Sequence, residues 1–574
     1  MKKVLVLIFT VFMLIVQSAS GQFIQDGINH LYAGHFKTAE KVFKQILVTT
    51  PTSAEAVYWL GQIAIEAEEG NYANARKIYE TAPALISNAA LILVGKGHID
   101  LLENKTNEAR QQFEMALSMT RTKKGDDPSI LNAIGRANVD AKAGNLPYAI
   151  EKLELATQRD PKNANIFLNL GDAYRKANPG QGGGQAYSNY VTSISLSPTF
   201  AFPHLRLAKL FETQKNWPLV LENLNSAISK DPNFSPAYYE LFYYHFYNQD
   251  YNEAEKYLNK YVGSKMGEVD PQDNYLHGQL CWAKKDFDCA IAKANSVINE
   301  MGAQTKPRTF KLIAYAFVDK GDTAGAKKYI DSYFEKEKAE AIIPSDFILK
   351  GKIYSTLTGD DNYLFESYVQ AAMSDSVYGS KMKTFEDGLA YFKRKGDRKK
   401  EAALREITYN NKKNPSDGEL FNLALNFHQA QEYPKAIEFF TRYTTKNPDS
   451  IFGHLWSARV NYIVDTTMLS CIPHYEKTLL ISTSDKLRYK NYGIESGKFL
   501  AGYHNNILND KATAISYLQR ALEFDTTNAS VKELLEILQR VAAPRPTNQP
   551  PAKPTNKSNT LGSQPITNDK LQKK

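Results

Sequence analysis

The stretch from Leu420 to Pro448 constrains the fold most, because variants of it recur along almost the whole chain. Apolar residues recur within it at helical spacing in two successive runs, which a polar turn separates. Ala424 and Ala436 are small where the two helices must approach closely. Phe440 is large and fills the gap to the next unit, and Pro448 ends the second helix. The unit is therefore a helical hairpin.

The small, small, large and proline positions of this hairpin are separated by 12, 4 and 8 residues. The same separations occur near the beginning of the chain, at Gly27, Ala39, Phe43 and Pro51. Twelve further hairpins are marked by Gly61, Gly97, Gly135, Gly171, Ala208, Ala254, Ala290, Ala326, Gly351, Ala390, Ala458 and Gly502. Residues 528–543 predict one more helix, which would cover the open end of the stack.

This pattern resembles the tetratricopeptide repeat. The resemblance implies an all-α, right-handed superhelical solenoid of about 14 hairpins with a C-terminal capping helix, spanning residues 22–541. It also implies that the first helices of successive hairpins line a concave groove in which partners bind. The resemblance implies a binding function, with other proteins or peptide segments as the partners.

The two ends of the chain differ from the repeats in composition. Residues 1–21 contain Lys2, Lys3, an apolar run and then small residues, which predicts a secretory signal peptide. The apolar run is too short to span a bilayer as a helix, so we expect no stable membrane insertion after cleavage. We expect a periplasmic protein, with the extracellular space as the alternative. Residues 542–574 are rich in Pro, Thr, Asn and Lys and predict a disordered tail.

The formal net charge of +8 is concentrated at the two ends of the chain. The leader and the tail carry all of this excess except about one charge, so the repeats are nearly neutral. A nearly neutral solenoid lacks the basic surface that binding to phosphate backbones requires. We therefore expect no nucleic-acid partner.

The three cysteines are too few for a disulfide scaffold. Cys281 and Cys289 flank one hairpin turn, so a bridge between them is one interpretation. Two buried thiols are the favoured interpretation.

The sequence shows none of the motifs that mark common catalytic or nucleotide-binding sites. The histidines are scattered, and isolated ones such as His428 and His474 are more often packed or solvated than metal-bound. We therefore predict no enzyme activity, no cofactor and no metal site.

The expected groove face changes character between hairpins. In hairpins five and six it is mixed, with Leu168, Asp172, Arg175, Leu205 and Lys209. In hairpins seven to nine it carries seven residues that we call the aromatic row: Tyr239, Tyr243, Tyr247, Tyr275, Gln279, Trp282 and Tyr315. Aromatic side chains with polar tips are enriched at protein interfaces. The row is therefore the candidate partner-binding site, whereas Phe242 and Tyr238 are assigned to packing.

Three functions are compatible with these patterns. The leading hypothesis is a non-catalytic scaffold or assembly factor of the bacterial cell envelope that binds partners in its groove. The first alternative is a carbohydrate- or peptidoglycan-binding module, since aromatic rings also stack on sugars. The second alternative is an enzyme whose site is scattered over the groove.

Overall fold

The computed structural model describes residues 23–67, 70–82, 86, 89–180 and 182–540 of the chain. Over these residues the fold is all-helical without strands, apart from an isolated bridge between Thr122 and Gly125 in the loop that follows hairpin three. The predicted leader (residues 1–21) and tail (residues 542–574) lie outside the described residues. The chain forms two compact units that divide between Asp322 and Thr323.

The first unit contains hairpins one to eight and the first helix of hairpin nine. Helix α1 covers residues 23–32. The following helices are α2 Phe36–Thr49, α3 Ala54–Ala67, α4 Ala73–Glu80, α5 Ala90–Leu102, α6 Thr106–Thr120, α7 Pro128–Asp140, α8 Leu146–Arg159, α9 Ala164–Ala177, α10 Gly183–Leu196, α11 Phe202–Thr213, α12 Trp217–Lys230, α13 Ser235–Tyr247, α14 Tyr251–Ser264, α15 Gln272–Ala283, α16 Phe287–Met301 and α17 Pro307–Lys320.

The second unit contains the remaining helices in the same alternating order. They are α18 Thr323–Lys336, α19 Pro344–Thr358, α20 Asn362–Ser374, α21 Tyr378–Lys395, α22 Arg398–Asn411, α23 Asp417–Gln429, α24 Tyr433–Lys446, α25 Ile451–Val464, α26 Ile472–Ser482, α27 Lys490–Asn506, α28 Lys511–Leu522 and α29 Ala529–Arg540. The predicted solenoid of fourteen hairpins and a last helix is confirmed. On α29, Val531 and Leu538 are buried, as expected of a capping helix.

Close approach at the small positions holds each hairpin together. A Cβ atom on Gly27 would lie 2.5 Å from the ring of Phe43, and one on Gly171 would lie 2.5 Å from the ring of Tyr190. Phe440 is fully buried and stacks on Trp456 of the next hairpin at a centroid distance of 6.5 Å. The repeat spacing thus encodes both contacts within a hairpin and contacts between hairpins.

The turns inside hairpins follow a recurring local rule. Gln249 and Lys285 adopt positive φ angles of 62° and 64°, which reverse the chain after the first helix. The next residue caps the second helix: Asp250 accepts a hydrogen bond from the backbone N–H of Glu253, and Asp286 accepts one from that of Cys289. The same turn thus joins the two helices of hairpin seven and the two helices of hairpin eight.

The structure contains a disulfide between Cys281 and Cys289, so the favoured interpretation of two buried thiols is wrong. Both residues are only half-buried. The tight turn between α15 and α16 brings their Cα atoms to 5.7 Å, a distance within the ordinary range for a bridge. Cys471, in contrast, is a buried free thiol.

Candidate functional site

The inner face of the first unit is built from the first helices of hairpins four to nine. Side-chain pairs link neighbouring first helices, and the links change from polar and charged to aromatic along the unit. Five of these pairs are Asn132–Asn169, Asp172–Arg206, Lys209–Glu240, Tyr243–Gln279 and Trp282–Asp319. The repeat therefore places equivalent positions in contact every 31 to 37 residues.

Charged groups on the early part of this face are paired within the chain. The buried Arg136 donates to Asp140 at 3.2 Å and lies 3.8 Å from Glu66. Its guanidinium also sits 4.8 Å from the ring of Trp59. Burial opposes its charge, but the neighbouring Tyr32, Asp140 and Glu66 outweigh burial and raise the pKa of Arg136. This cation is thus held charged by the protein itself.

The first hairpin of the chain packs onto this part of the inner face. Tyr32 stacks on Phe202 at 4.3 Å, and Ala33 joins the buried cluster that contains Leu205. The imidazole of His35 lies 3.3 Å from the hydroxyl of Ser235. These contacts join residues up to 200 positions apart, and they reach Ser235 at the start of α13. Tyr32 also packs against the buried cluster of Leu168, so the first hairpin covers parts of hairpins five and six and the start of hairpin seven.

The carboxylate of Glu268 fixes the covering hairpin at its other end. It accepts hydrogen bonds from the backbone N–H groups of Lys37 and Thr38, at 3.0 and 2.8 Å. These groups lie in the first turn of α2, where helices leave N–H donors unpaired and favour negative charge. Glu268 follows α14, so the contact ties hairpin seven to hairpin one.

This cover corrects the expectation for hairpins five and six. Leu168, Asp172 and Leu205 were expected to form part of a mixed groove surface, but all three are buried. Lys209 is half-buried and bonds to Glu240 and Glu212. The reasons are tertiary: Asp172 accepts hydrogen bonds from Tyr190 and Arg206, whereas Leu168 and Leu205 lie in buried clusters that Tyr32 and Ala33 of the first hairpin join.

The aromatic row lies on α13, α15 and α17, within the first unit. Tyr247 is 76 % exposed, and Tyr275 is only 7 % exposed. The other five members are half-buried: Tyr239, Tyr243, Gln279, Trp282 and Tyr315. Phe242 and Tyr238 are buried, as assigned.

The burial of Tyr275 departs from the expected exposed row. The Arg308 guanidinium lies 4.5 Å from the centroid of its ring and covers it. Burial raises the pKa of the Tyr275 phenol, and the charge of Arg308 opposes that effect. Tyr275 is thus a buried member of the row, whereas the other six members remain at least partly exposed.

The rings of the row contact one another in several orientations. Tyr239 and Tyr243 meet edge to face at 4.9 Å, whereas Tyr243 and Tyr247 lie nearly parallel at 5.6 Å. Trp282 and Tyr315 are tilted at 5.9 Å. Such contacts hold rings in fixed positions.

Side chains of the row also make two hydrogen bonds between neighbouring first helices. The Tyr243 hydroxyl donates to the Gln279 amide oxygen at 3.2 Å, and the Trp282 indole N–H donates to Asp319 at 2.8 Å. Burial raises the pKa of Tyr243, which keeps its phenol neutral at physiological pH. The row therefore offers stacking faces and uncharged polar groups, with a carboxylate at one end.

Three contributors to this surface were not identified from the sequence: Tyr261, Arg308 and Asp319. Tyr261 lies 5.4 Å from Tyr239 but belongs to a second helix, so a search restricted to first helices misses it. Asp319 was identifiable, because it follows Trp282 by 37 residues, close to one repeat length.

No membrane-crossing helix occurs over residues 23–67, 70–82, 86, 89–180 and 182–540, since none there is long and apolar enough. The same residues contain no group of three or more side chains suited to holding a metal ion.

Comparison with known proteins identifies the repeat. Residues 26–90 and residues 420–450 each match a model of the tetratricopeptide repeat. No curated protein matches the chain.

Several solved structures are similar to parts of the chain. The C-terminal part of a TPR repeat-containing protein from Cytophaga hutchinsonii is 24 % identical, with a TM-score of 0.25, over 45 % of this chain and 98 % of that one. A tetratricopeptide repeat protein from Parabacteroides merdae is 19 % identical, with a TM-score of 0.36, over 45 % and 96 %. PilW, a type IV pilus biogenesis factor, is 19 % identical, with a TM-score of 0.32, over 36 % and 91 %.

Contacts of a small residue with a large ring recur between the two matched segments, as at Gly97 with Phe113 and at Gly171 with Tyr190. The chain thus contains tetratricopeptide repeats.

Proposed function

We propose that this protein is an exported, non-catalytic scaffold of the bacterial cell envelope that binds segments of other proteins at the aromatic row. The proposal rests on one observation: two parts of the inner face differ in how far they are covered by the first hairpin. The first hairpin covers parts of hairpins five and six and the start of hairpin seven, whereas the row farther along hairpins seven to nine keeps an exposed Tyr247 and half-buried Tyr243 and Trp282. Rigid aromatic side chains of this kind supply most of the binding energy at protein interfaces.

The proposed export has two supports of different kinds. Residues 1–21 have the charged, apolar and small-residue order of a secretory leader. The bridge between Cys281 and Cys289 is the second support, because disulfides persist mainly in oxidising compartments. Intact mass measurement of the protein from its native host should give a chain that begins near Gln22. A mature chain that retains residues 1–21 would contradict cleavage.

Binding at the row is tested by site-specific photo-crosslinking in cells. A photoreactive amino acid in place of Tyr247 should crosslink to a discrete partner protein. The same amino acid in place of Tyr187, an exposed tyrosine on α10, is the matched control. Crosslinks of equal yield and identity at both positions, or none at position 247, would contradict the row as the binding site.

Carbohydrate binding is the second candidate function, because the exposed Tyr247 ring lies nearly parallel to Tyr243 and such surfaces also stack on sugars. Purified peptidoglycan incubated with the protein distinguishes this function. Retention that the Tyr247→Ala substitution abolishes would favour the carbohydrate alternative over the scaffold.

A further inference from the structure

We propose that the aromatic row recognises proline-rich segments in the polyproline II conformation that carry a basic residue at one end. This inference rests on the proposed function and specifies its ligand. It follows from three properties of the row: its charge, its hydrogen-bonding groups and the succession of its rings along three helices.

The row itself is uncharged, and the cations near it are engaged. Lys209 bonds to Glu240 and Glu212, and the Arg308 guanidinium covers Tyr275. A strongly acidic ligand would therefore have to displace the carboxylates that hold Lys209, or draw Arg308 away from the Tyr275 ring and from the Gln272 amide oxygen to which it donates. Neutral rings in several orientations suit the puckered, apolar ring of proline, which packs against aromatic side chains in grooves that bind proline-rich segments.

The hydrogen-bonding groups of the row favour a ligand that brings acceptors rather than donors. The amide oxygen of Gln279 already accepts from Tyr243, so its NH₂ group is the part left to meet a ligand. Polyproline II leaves backbone carbonyls without internal partners, and proline has no backbone N–H that would need an acceptor. An ordinary extended peptide, or a sugar with its hydroxyls, would bring donors that this surface satisfies less well.

The rise of polyproline II decides which ligand residues can meet the row. Three residues of this conformation rise about 9 Å, so prolines three positions apart lie on one side of the ligand and can face the rings on α13, α15 and α17. Because this conformation exists before binding, little further ordering of the ligand would oppose association.

The charge at the end of the row sets the preference for a basic residue. Asp319 is exposed, and its carboxylate accepts from the uncharged indole of Trp282. Exposed Lys320, the next residue, is instead paired with Asp288 on α16. A Lys or Arg beside the prolines would therefore complement the carboxylate of Asp319.

The test measures binding of synthetic peptides to the full-length protein by isothermal titration calorimetry. The probe is an oligoproline peptide that ends in two lysines. A Gly-Ser peptide of equal length with the same lysines controls for charge, and an oligoproline peptide ending in two glutamates controls for the basic end. The first peptide should bind at least about tenfold more tightly than either control.

Matched variants locate the binding. Tyr247→Ala should weaken binding of the lysine-ended oligoproline by about tenfold or more, whereas Tyr187→Ala should leave it unchanged. Asp319→Asn keeps an oxygen that can accept from Trp282, and it should remove the preference for lysine over glutamate. Equal binding of the Gly-Ser peptide, or equal losses in the two tyrosine variants, would overturn the proposal.

The outcome separates this inference from the function on which it rests. If photo-crosslinks at position 247 persist while oligoproline fails to bind, the row binds proteins but the ligand class is wrong. If both are lost, the row is not a protein-binding site. Saturable binding of a cello-oligosaccharide in place of either peptide would overturn the ligand class in favour of sugar.

Discussion

Hairpins four to six and hairpins seven to nine place the same helical positions on one inner face, yet they use them in opposite ways. In the earlier hairpins the positions carry charges that pair across the face, as Asp172 does with Arg206 at 2.9 Å. In the later hairpins they carry rings and amides, as in the contact of Tyr243 with Gln279. The repeat determines the positions of the side chains on the inner face. Their chemistry determines whether that part of the face forms charge pairs or an aromatic surface.

The difference also shows what a covered face requires. Tyr32, Ala33 and His35 of the first hairpin approach residues of α11 and α13. Charges that lose water must be paired, because an unpaired buried charge is strongly destabilising. The paired charges beneath the first hairpin satisfy that condition, whereas the aromatic row needs no charged partner of its own and can remain accessible.

The largest expected effect comes from removing a paired charge on the covered face. Arg136→Ala should lower the free energy of unfolding by about 2–4 kcal/mol, because Trp59 loses a packed guanidinium and because Asp140 and Glu66, both partly exposed, lose their cation. Urea denaturation followed by circular dichroism measures the loss. A change below about 1 kcal/mol would mean that the covered face is not held by its charge pairs.

Part of the acid sensitivity of the protein should come from a buried histidine on α5, in hairpin three of the first unit. His98 is buried, its ring nitrogen lies 3.0 Å from the amide oxygen of Gln62, and burial lowers its pKa to about 4. The unfolded chain takes up a proton near pH 6.5, whereas the folded chain resists until about pH 4, so stability should fall as the pH drops through this window. The loss should reach about 3 kcal/mol at the lower limit.

The control for this effect is His98→Asn, which keeps a donor toward Gln62 but does not titrate. The variant should lose less stability than the wild type between pH 6.5 and pH 4, as followed by urea midpoints at each pH. None of the seven residues of the aromatic row is a histidine, so substitutions in the row should leave the slope unchanged. Identical slopes for wild type and His98→Asn would contradict this assignment.

The fold was predictable because the residue spacing that marks a helical hairpin lies within one short stretch of sequence. The separation of Gly27 from Phe43 is the separation of Ala424 from Phe440, and each pair packs as the spacing predicts. Predicted and observed capping helices also agree closely, over residues 528–543 and Ala529–Arg540. Because each repeat packs mainly on its neighbours, each hairpin can be predicted from its own stretch of sequence.

The covering of the inner face was not predictable by the same means. The contact between His35 and Ser235 joins residues 200 positions apart and has no period that a repeat search can detect. The burial of Tyr275 depends on Arg308, whose orientation over the ring is a tertiary property. The seven row residues were selected by position and type, and their role in binding stays a prediction.

A smaller effect should follow from loosening the first hairpin at one end. Glu268→Ala removes three hydrogen bonds from the first turn of α2, two from backbone N–H groups and one from the Thr38 hydroxyl, together with a negative charge at the N-terminus of that helix. The expected loss is about 1–2 kcal/mol of stability. Hydrogen exchange should also become faster in α1 and α2 than in α15 and α16. Uniform exchange changes across the unit would show that Glu268 does not act on the covering hairpin.

The smallest expected effect on the free energy of unfolding comes from a substitution in the aromatic row, and it distinguishes the row from the covered face. Tyr247→Ala should change the free energy of unfolding by less than about 0.5 kcal/mol, because its side chain is 76 % exposed and surface substitutions rarely cost more. Its stacking on Tyr243 is the main contact that it would lose. Urea denaturation beside the Tyr187→Ala control measures the difference. A loss of about 2 kcal/mol or more at Tyr247 alone would place this ring among the packing residues, and the contrast between the two parts of the inner face would then no longer hold.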